Sequence, residues 1–144
     1  MAAVANLFRS PKRGLPMVEL ETALAIEGRG FADCAHGRPG SKRQVLLVDK
    51  ETLDAMNLAP GIIRENITTT GVNVNGLAIG ERLRIGLALL EVTSVCTPCD
   101  LMEKTRPGLR RELWGRRGML CRVLEGGAIR KGDAIQRVPI AVSA

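Results

Sequence analysis

The sequence predicts a mainly β fold: a closed or partly closed β-barrel with short helices at its ends, in one domain over residues 1–144. Three observations carry that prediction. Short runs rich in Val, Ile, Leu and Thr recur between Gly, Pro and Asn punctuation, as strands of a β-rich fold do. Strand-type runs outnumber helical ones, and no strand–helix–strand alternation stands out. Two stretches, "GLAIGERLRIG" (76–86) and "GGAIRKGDAIQRV" (126–138), share one pattern: a short apolar piece, a turn of Gly plus an acid, then a strand. Recurring hairpins read this way.

Taken in order, "VANLF" reads as a short opening strand, and residues 10–16, "SPKRGLP", as the basic loop that follows it. "RQVLLVD" (43–49) is an apolar run of strand type. Asp49 then fits a helix N-cap ahead of "KETLDAMN". "IIRENITTTG" suits a strand ended by Gly71, and "LALLEVTSV" and "RGMLCRVLEGG" supply two more. In the last of these, Met119, Cys121 and Val123 share one face and Arg122 lies on the other. Pro107-Gly108 divides residues 100–114 into two short helices, "DLMEK" and "LRREL". Residues 139–144 read as a flexible tail.

A chain of 144 residues with 45% hydrophobic content can bury a core, and no apolar run approaches membrane-span length. The opening residues lack the apolar core and cleavage site of a secretory signal, so a reducing cytoplasm is expected. There, four cysteines are expected as thiols or ligands, not as a disulfide framework. Lys plus Arg total 21 against 15 for Asp plus Glu, a surplus that attracts anions. The only aromatics are Phe8, Phe31 and Trp114, too few for the stacking platforms of single-stranded nucleic-acid binders. A small phosphorylated ligand is therefore preferred over a nucleic acid.

The stretch "EVTSVCTPCDLMEK" (91–104) sets Cys96 and Cys99 between a strand and a helix start. A zinc site wants four ligands; beyond this pair only Cys34, His36 and Cys121 remain, and Cys121 falls on an apolar face. A thioredoxin-type pair wants a βαβ context that the chain lacks. A single functional thiolate is the third reading. Pro98 fixes the entry to the helix, and Cys99 with Asp100 sits at its first turn, where free amide donors favour a negative sulfur. Such a thiolate can attack, carry sulfur or ligate a soft metal, with Cys96 as neighbour or resolving thiol. The fourth reading is two small buried residues.

Two further groups could serve an anion. Arg64-Glu65-Asn66 offers a planar donor fork and an amide, or else a structural ion pair and turn. "GRGFADCAHGRPGSKRQV" (28–45) joins turn glycines to His36, Arg38, Lys42 and Arg43 and could wrap an oxyanion, although it lacks the Walker order.

In order along the chain, "VANLFRSPKRG", "GRGFADCAHGRPGSKRQVLLVD", "IIRENITTTGVNVNGLAIGERLRIG", "EVTSVCTPC" and "RRGMLCRVLEGGAIRKGDAI" resemble the blocks of a MOSC domain. That domain is named for the C-terminal part of molybdenum-cofactor sulfurases. Cys34 departs from the pattern, where another small residue is usual. The resemblance implies a closed β-barrel. It implies that Cys99 carries sulfur as a persulfide or ligates molybdenum, and that Arg64 and Asn66 help hold the pterin or phosphate of molybdopterin. His36, Lys42 and Arg43 complete the expected cofactor-binding set. Relatives include molybdenum enzymes that reduce N-hydroxylated compounds, and members fused to desulfurase domains; no covalent pyridoxal phosphate site is expected here. The expected partners are a small anionic cofactor, a sulfur donor or acceptor protein, and a redox partner. Two alternatives stand beside this: a non-catalytic anion- or protein-binding module, and a zinc-stabilised domain.

Overall fold

The computed structural model describes residues 1–139; the tail expected over 139–144 lies, from residue 140 onward, outside them. The described residues form eleven strands, three short α-helices and one 3₁₀ turn at Val74–Gly76. The strands are β1 (Ala3–Arg9), β2 (Val18–Leu20), β3 (Thr22–Ile26), β4 (Gly30–Phe31), β5 (Val45–Asp49), β6 (Ile67–Thr70), β7 (Arg82–Ile85), β8 (Ala88–Val95), β9 (Met119–Glu125), β10 (Gly127–Arg130) and β11 (Ile135–Val138). The helices are α1 (Lys50–Ala55), α2 (Asp100–Thr105) and α3 (Leu109–Glu112).

Eight strands make one sheet in the order β11-β7-β8-β9-β5-β6-β1-β2, and β10-β3-β4 make a second. Of the two forms expected, a closed or a partly closed barrel, the closed one is not formed: β11 and β2 end the strand order of the large sheet. The reason lies in β1. Its C-terminal half pairs with β2, while its N-terminal half meets the β10–β11 turn. There Val4 N–H donates to Asp133 O (2.8 Å), Gly132 N–H to Val4 O (2.8 Å) and Ile135 N–H to Ala2 O (2.9 Å). These contacts give one isolated bridge, Ala3 to Ala134, and no ladder.

A second correction concerns strand–helix alternation. β5, α1 and β6 form one βαβ unit, with β5 and β6 parallel and Leu47 opposite Ile67. Asp49 starts the helix as expected: its carboxylate accepts from the Thr52 N–H (3.3 Å) and hydroxyl (2.8 Å). Third, the strand expected from Ile62 begins only at Ile67. Arg64 takes a left-handed φ of 69° and its N–H closes a turn onto Gly61 O (3.0 Å).

The core has two compartments, one on each face of the large sheet. Val45, Leu47, Met119 and Cys121 face the small sheet, packing with Ala23, Ala25, Phe31 and Ile129. Leu46, Val48 and Leu120 face the helices, packing with Leu53, Met102, Leu109 and Leu113. Burial on both faces explains why "VLLVD" reads as an unbroken apolar run. Helices α2 and α3 are pinned by Glu103, whose carboxylate accepts from the Gly108 (3.0 Å) and Arg110 (2.9 Å) N–H groups. Arg106 donates to Met56 O (2.8 Å) and ties them to the end of α1. No helix among the described residues is long and apolar enough to cross a membrane.

Candidate anion-binding site

Beside the helix-side compartment, a cavity of about 450 Å³ opens where several strand ends converge. Its wall takes Gln44–Leu46 from the start of β5, Asn66 just before β6, Arg117 and Leu120 around the start of β9, and Cys96 just after β8. The 35–43 loop and the 13–14 loop form its rim. Five arginines line it (Arg13, Arg38, Arg43, Arg64 and Arg117) and, among the described residues, no carboxylate does. The concentration of guanidinium groups in one concave wall gives it the charge and donor geometry that suit an anion.

Asn66 is the hub of the wall. It is fully buried, and its Oδ1 accepts from Leu46 N–H (3.0 Å) while its Nδ2 donates to Phe8 O (3.2 Å) and Cys34 Sγ (3.4 Å). Those partners fix which way the amide points. His36 Nδ1 lies 3.3 Å from the same Oδ1, so Nδ1 carries the proton and Nε2 keeps its lone pair. Burial, together with the nearby charges of Arg64 and Arg117, pushes the His36 pKa below its ordinary value despite the opposing Asn66 bond. The imidazole is therefore neutral at pH 7. With all its bonding directions used, Asn66 serves to position other groups.

Arg64 orders the rim. Its left-handed backbone lets the guanidinium donate to Leu15 O (2.7 Å) and to the hydroxyl of buried Ser10 (3.0 Å), clasping the 10–15 loop against the pocket. Gln44 orders the opposite side: Oε1 accepts from Val123 N–H (3.0 Å) and Nε2 donates to Arg38 O (3.4 Å).

Arg117 is different in kind. It is 5% exposed, and its Nε and Nη1 have no hydrogen-bond partner. A buried guanidinium with open donors is costly unless something satisfies it. Behind the wall lies Glu65, fully buried, whose Oε2 accepts from Gly61 N–H (2.9 Å) and the Thr68 hydroxyl (2.9 Å) while Oε1 has no partner. Burial pushes the Glu65 carboxyl up; its hydrogen bonds and the Arg117 charge pull it back only in part. Gly118 holds Arg117 in place through its close approach to β5. Its φ is 108°, and a Cβ there would run into the Leu47 carbonyl oxygen.

The two thiols of the Cys-x-x-Cys stretch part company. Cys96 is buried, lines the pocket, and is anchored by its N–H to Gly118 O (3.0 Å). Burial pushes its thiol pKa up, while the Arg117 and Arg43 charges pull it down. Cys99 is exposed as the N-cap of α2 and is not part of the pocket wall. Cys34 touches Ser10 N–H (3.3 Å) and Asn66, and Cys121 is fully buried on the opposite face of the sheet, where burial drives its thiol far up. Among the described residues, no three His, Cys, Asp or Glu side chains are grouped to hold a metal ion.

Of the expected set, the fold brings together His36, Arg43, Arg64 and Asn66. Lys42 is exposed outside the wall, with its carbonyl taken by the Thr93 hydroxyl. Sequence reasoning did not single out Arg117, Arg13 or Gln44 as ligand-facing, nor Cys96 as the pocket thiol. The one local signal for Arg117 is a charged residue pressed between Gly118 and an apolar strand, "RRGMLC".

The sequence model of the MOSC domain matches residues 35–136. The fold is similar to that of the YuaD protein from Bacillus subtilis, with a TM-score of 0.78, 20% identity and 94% of each chain covered. It is similar as well to YiiM from Geobacillus stearothermophilus, with a TM-score of 0.80, 16% identity, and coverage of 96% of this chain and 76% of that one. YiiM from Escherichia coli gives 0.74 at 18% identity, with coverage of 100% and 72%. No curated protein matches the chain significantly. The pocket-bearing strands β5, β6, β8 and β9 all fall inside the matched segment, which is well over half of the sequence, and the chain belongs to the MOSC domain family.

Proposed function

We propose that the arginine-lined pocket holds a phosphate-bearing molybdenum cofactor and that Cys99, exposed two residues before Leu101 of the pocket wall, is the thiol that serves it. One observation carries this reading: five arginines, buried Arg117 among them, line one concave wall with no carboxylate among the described residues. That donor set fits a phosphate, because charge-assisted bonds from a planar fork to an oxyanion repay the desolvation of both. Arg64 and Arg43 add charge on the rim, and the free lone pair of His36 Nε2 can accept from a heterocycle N–H or take a proton from a bound group. Asn66 keeps that imidazole in one tautomer. When bound, such a cofactor supplies two-electron chemistry of the kind that reduces an N–O bond; a redox partner would deliver the electrons.

A second reading is favoured by the exposure of Cys99, where a sulfur donor protein can reach it: the thiol carries sulfane sulfur as a persulfide. Anaerobic purification from cells that make the cofactor separates the two. Stoichiometric pterin and molybdenum, with the metal lost in Cys99→Ser, is the result expected for ligation. A persulfide trapped on Cys99 without metal is the result expected for sulfur transfer. Wild-type protein that carries neither pterin nor persulfide overturns both and leaves an anion-binding module.

A further inference from the structure

The stretch that splits its two thiols between surface and pocket does more than hold one carrier. We infer that Cys96 is a second sulfur station, receiving sulfane sulfur from Cys99 and presenting it inside the arginine-lined cavity. This rests on the sulfur-carrying reading above and deepens it. Three observations support it. Cys99 is exposed at the α2 N-cap, whereas Cys96 is 6% exposed and lines the pocket. The two are separated only by Thr97 and Pro98. The Cys96 N–H donates to Gly118 O (3.0 Å), which ties that residue to the start of β9 at the pocket wall. A donor protein meets Cys99 first; a ligand seated in the pocket meets Cys96.

The step balances without an oxidant or reductant. A persulfide donor first leaves Cys99 as Cys99–S–S⁻. The Cys96 thiol gives up its proton, and its Sγ attacks the outer, sulfane sulfur. A new Cys96 Sγ–S bond forms as the Cys99 Sγ–S bond breaks. Cys99 departs as a thiolate and takes up the proton that Cys96 released. The product anion lies beside Arg117 and Arg43, the two cations that already favour negative charge on Cys96. Those charges offset in part the burial that otherwise disfavours an anion at Cys96.

The test uses the full chain and glutathione persulfide at one equivalent. Samples are quenched with iodoacetamide over time, and sulfur is located by fragment-ion mass spectrometry of the tryptic peptide 85–104, which holds both cysteines. The expected course is label on Cys99 first, then on Cys96 at its expense. Cys99→Ser is expected to cut labelling of Cys96 at least tenfold, and Cys96→Ser to leave Cys99 charged and long-lived. Cys99→Ser replaces an exposed side chain, so folding is not at stake. Three results overturn the relay while sparing sulfur carriage: Cys96 charged at the wild-type rate in Cys99→Ser, sulfur that stays on Cys99, or a Cys96–Cys99 disulfide with release of hydrosulfide. Both thiols bare under excess donor overturns the relay and the sulfur-carrying reading together.

Discussion

Replacing Arg117 by Met should make the empty protein more stable and its pocket worse at holding an anion. Met keeps the aliphatic stem and removes the charge together with the two buried donors that have no partner, Nε and Nη1. Leaving a buried polar group unsatisfied costs about 1–3 kcal/mol, so its removal returns a gain of that order. For 144 residues, an unfolding entropy of about 2.1 cal/mol/K per residue converts 1 kcal/mol into about 3 °C, so Tm should rise by roughly 3–10 °C. Glu65 trims the gain at neutral pH, because the Arg117 charge opposes the rise that burial gives its carboxyl. The increase should therefore be larger at pH 5 than at pH 7.5. Binding moves the other way. A charge-assisted hydrogen bond is worth about 1.5–3 kcal/mol, so affinity for sulfate should fall by roughly 10- to 150-fold. Differential scanning calorimetry of the protein alone and titration calorimetry with sulfate at low ionic strength read the two effects. Sulfate affinity equal to wild type would refute the placement of Arg117 against the ligand. A fall in Tm would refute the claim that its donors stand unsatisfied.

His36, whose pKa burial depresses, contributes stability that is whole above its unfolded value of about 6.5 and is lost as pH falls through the lower folded value. A bound anion favours the imidazolium, so sulfate affinity should strengthen as pH falls into the range where His36 takes up its proton, and titration of His36→Ala should show that pH-dependence gone. Glu65 has the opposite sign: with its folded pKa raised, the protein is favoured at low pH and loses that contribution as pH rises through the folded value. The stability advantage of Glu65→Gln over wild type should accordingly grow with pH above about 4.3, as read by urea unfolding at several pH values; a difference flat in pH would contradict the assignment. Asn66→Ala strands the Leu46 N–H and the Phe8 carbonyl in the interior and should cost about 2–4 kcal/mol in urea unfolding, with sulfate affinity falling because His36 loses its tether.

Local patterns announced most of the secondary structure. Asp49 ahead of a short helix, Pro107-Gly108 between two helices, and the alternation of Met119, Cys121 and Val123 against Arg122 are decisions taken within a few residues, and each stands in the structure. What failed were decisions between distant segments. The parallel pairing of β5 with β6 depends on α1 bridging them, although the run "VLLVD" carried the sign of a strand covered on both faces. Strands β2 and β3 are short and lie against β1 and β10; the alternation in "VELETALAI" is a strand signal that the sequence reading passed over. The barrel failed to close because β1 divides itself between β2 and the β10–β11 turn, a competition with no local signature.

The site divides along the same line, and the division explains its design. His36 and Arg43 sit in a loop that is visibly basic and rich in glycine, and Arg64 stands in the Arg-Glu-Asn triplet, so their type could be read. Arg117 could not be, because its meaning comes from burial, and its burial comes from Gly118 passing tightly over β5 and from Leu120 packing with Leu46 below. The helix-side core therefore sets more than stability. By fixing the starts of β5 and β9 together, it holds one guanidinium at the pocket wall largely out of water, where its charge is little screened. A rim arginine such as Arg43, exposed to solvent, gains little from binding because it gives up good hydration. Arg117 has already lost that hydration on folding, so selectivity for an anionic ligand should rest more on this buried charge than on the four other arginines that line the pocket.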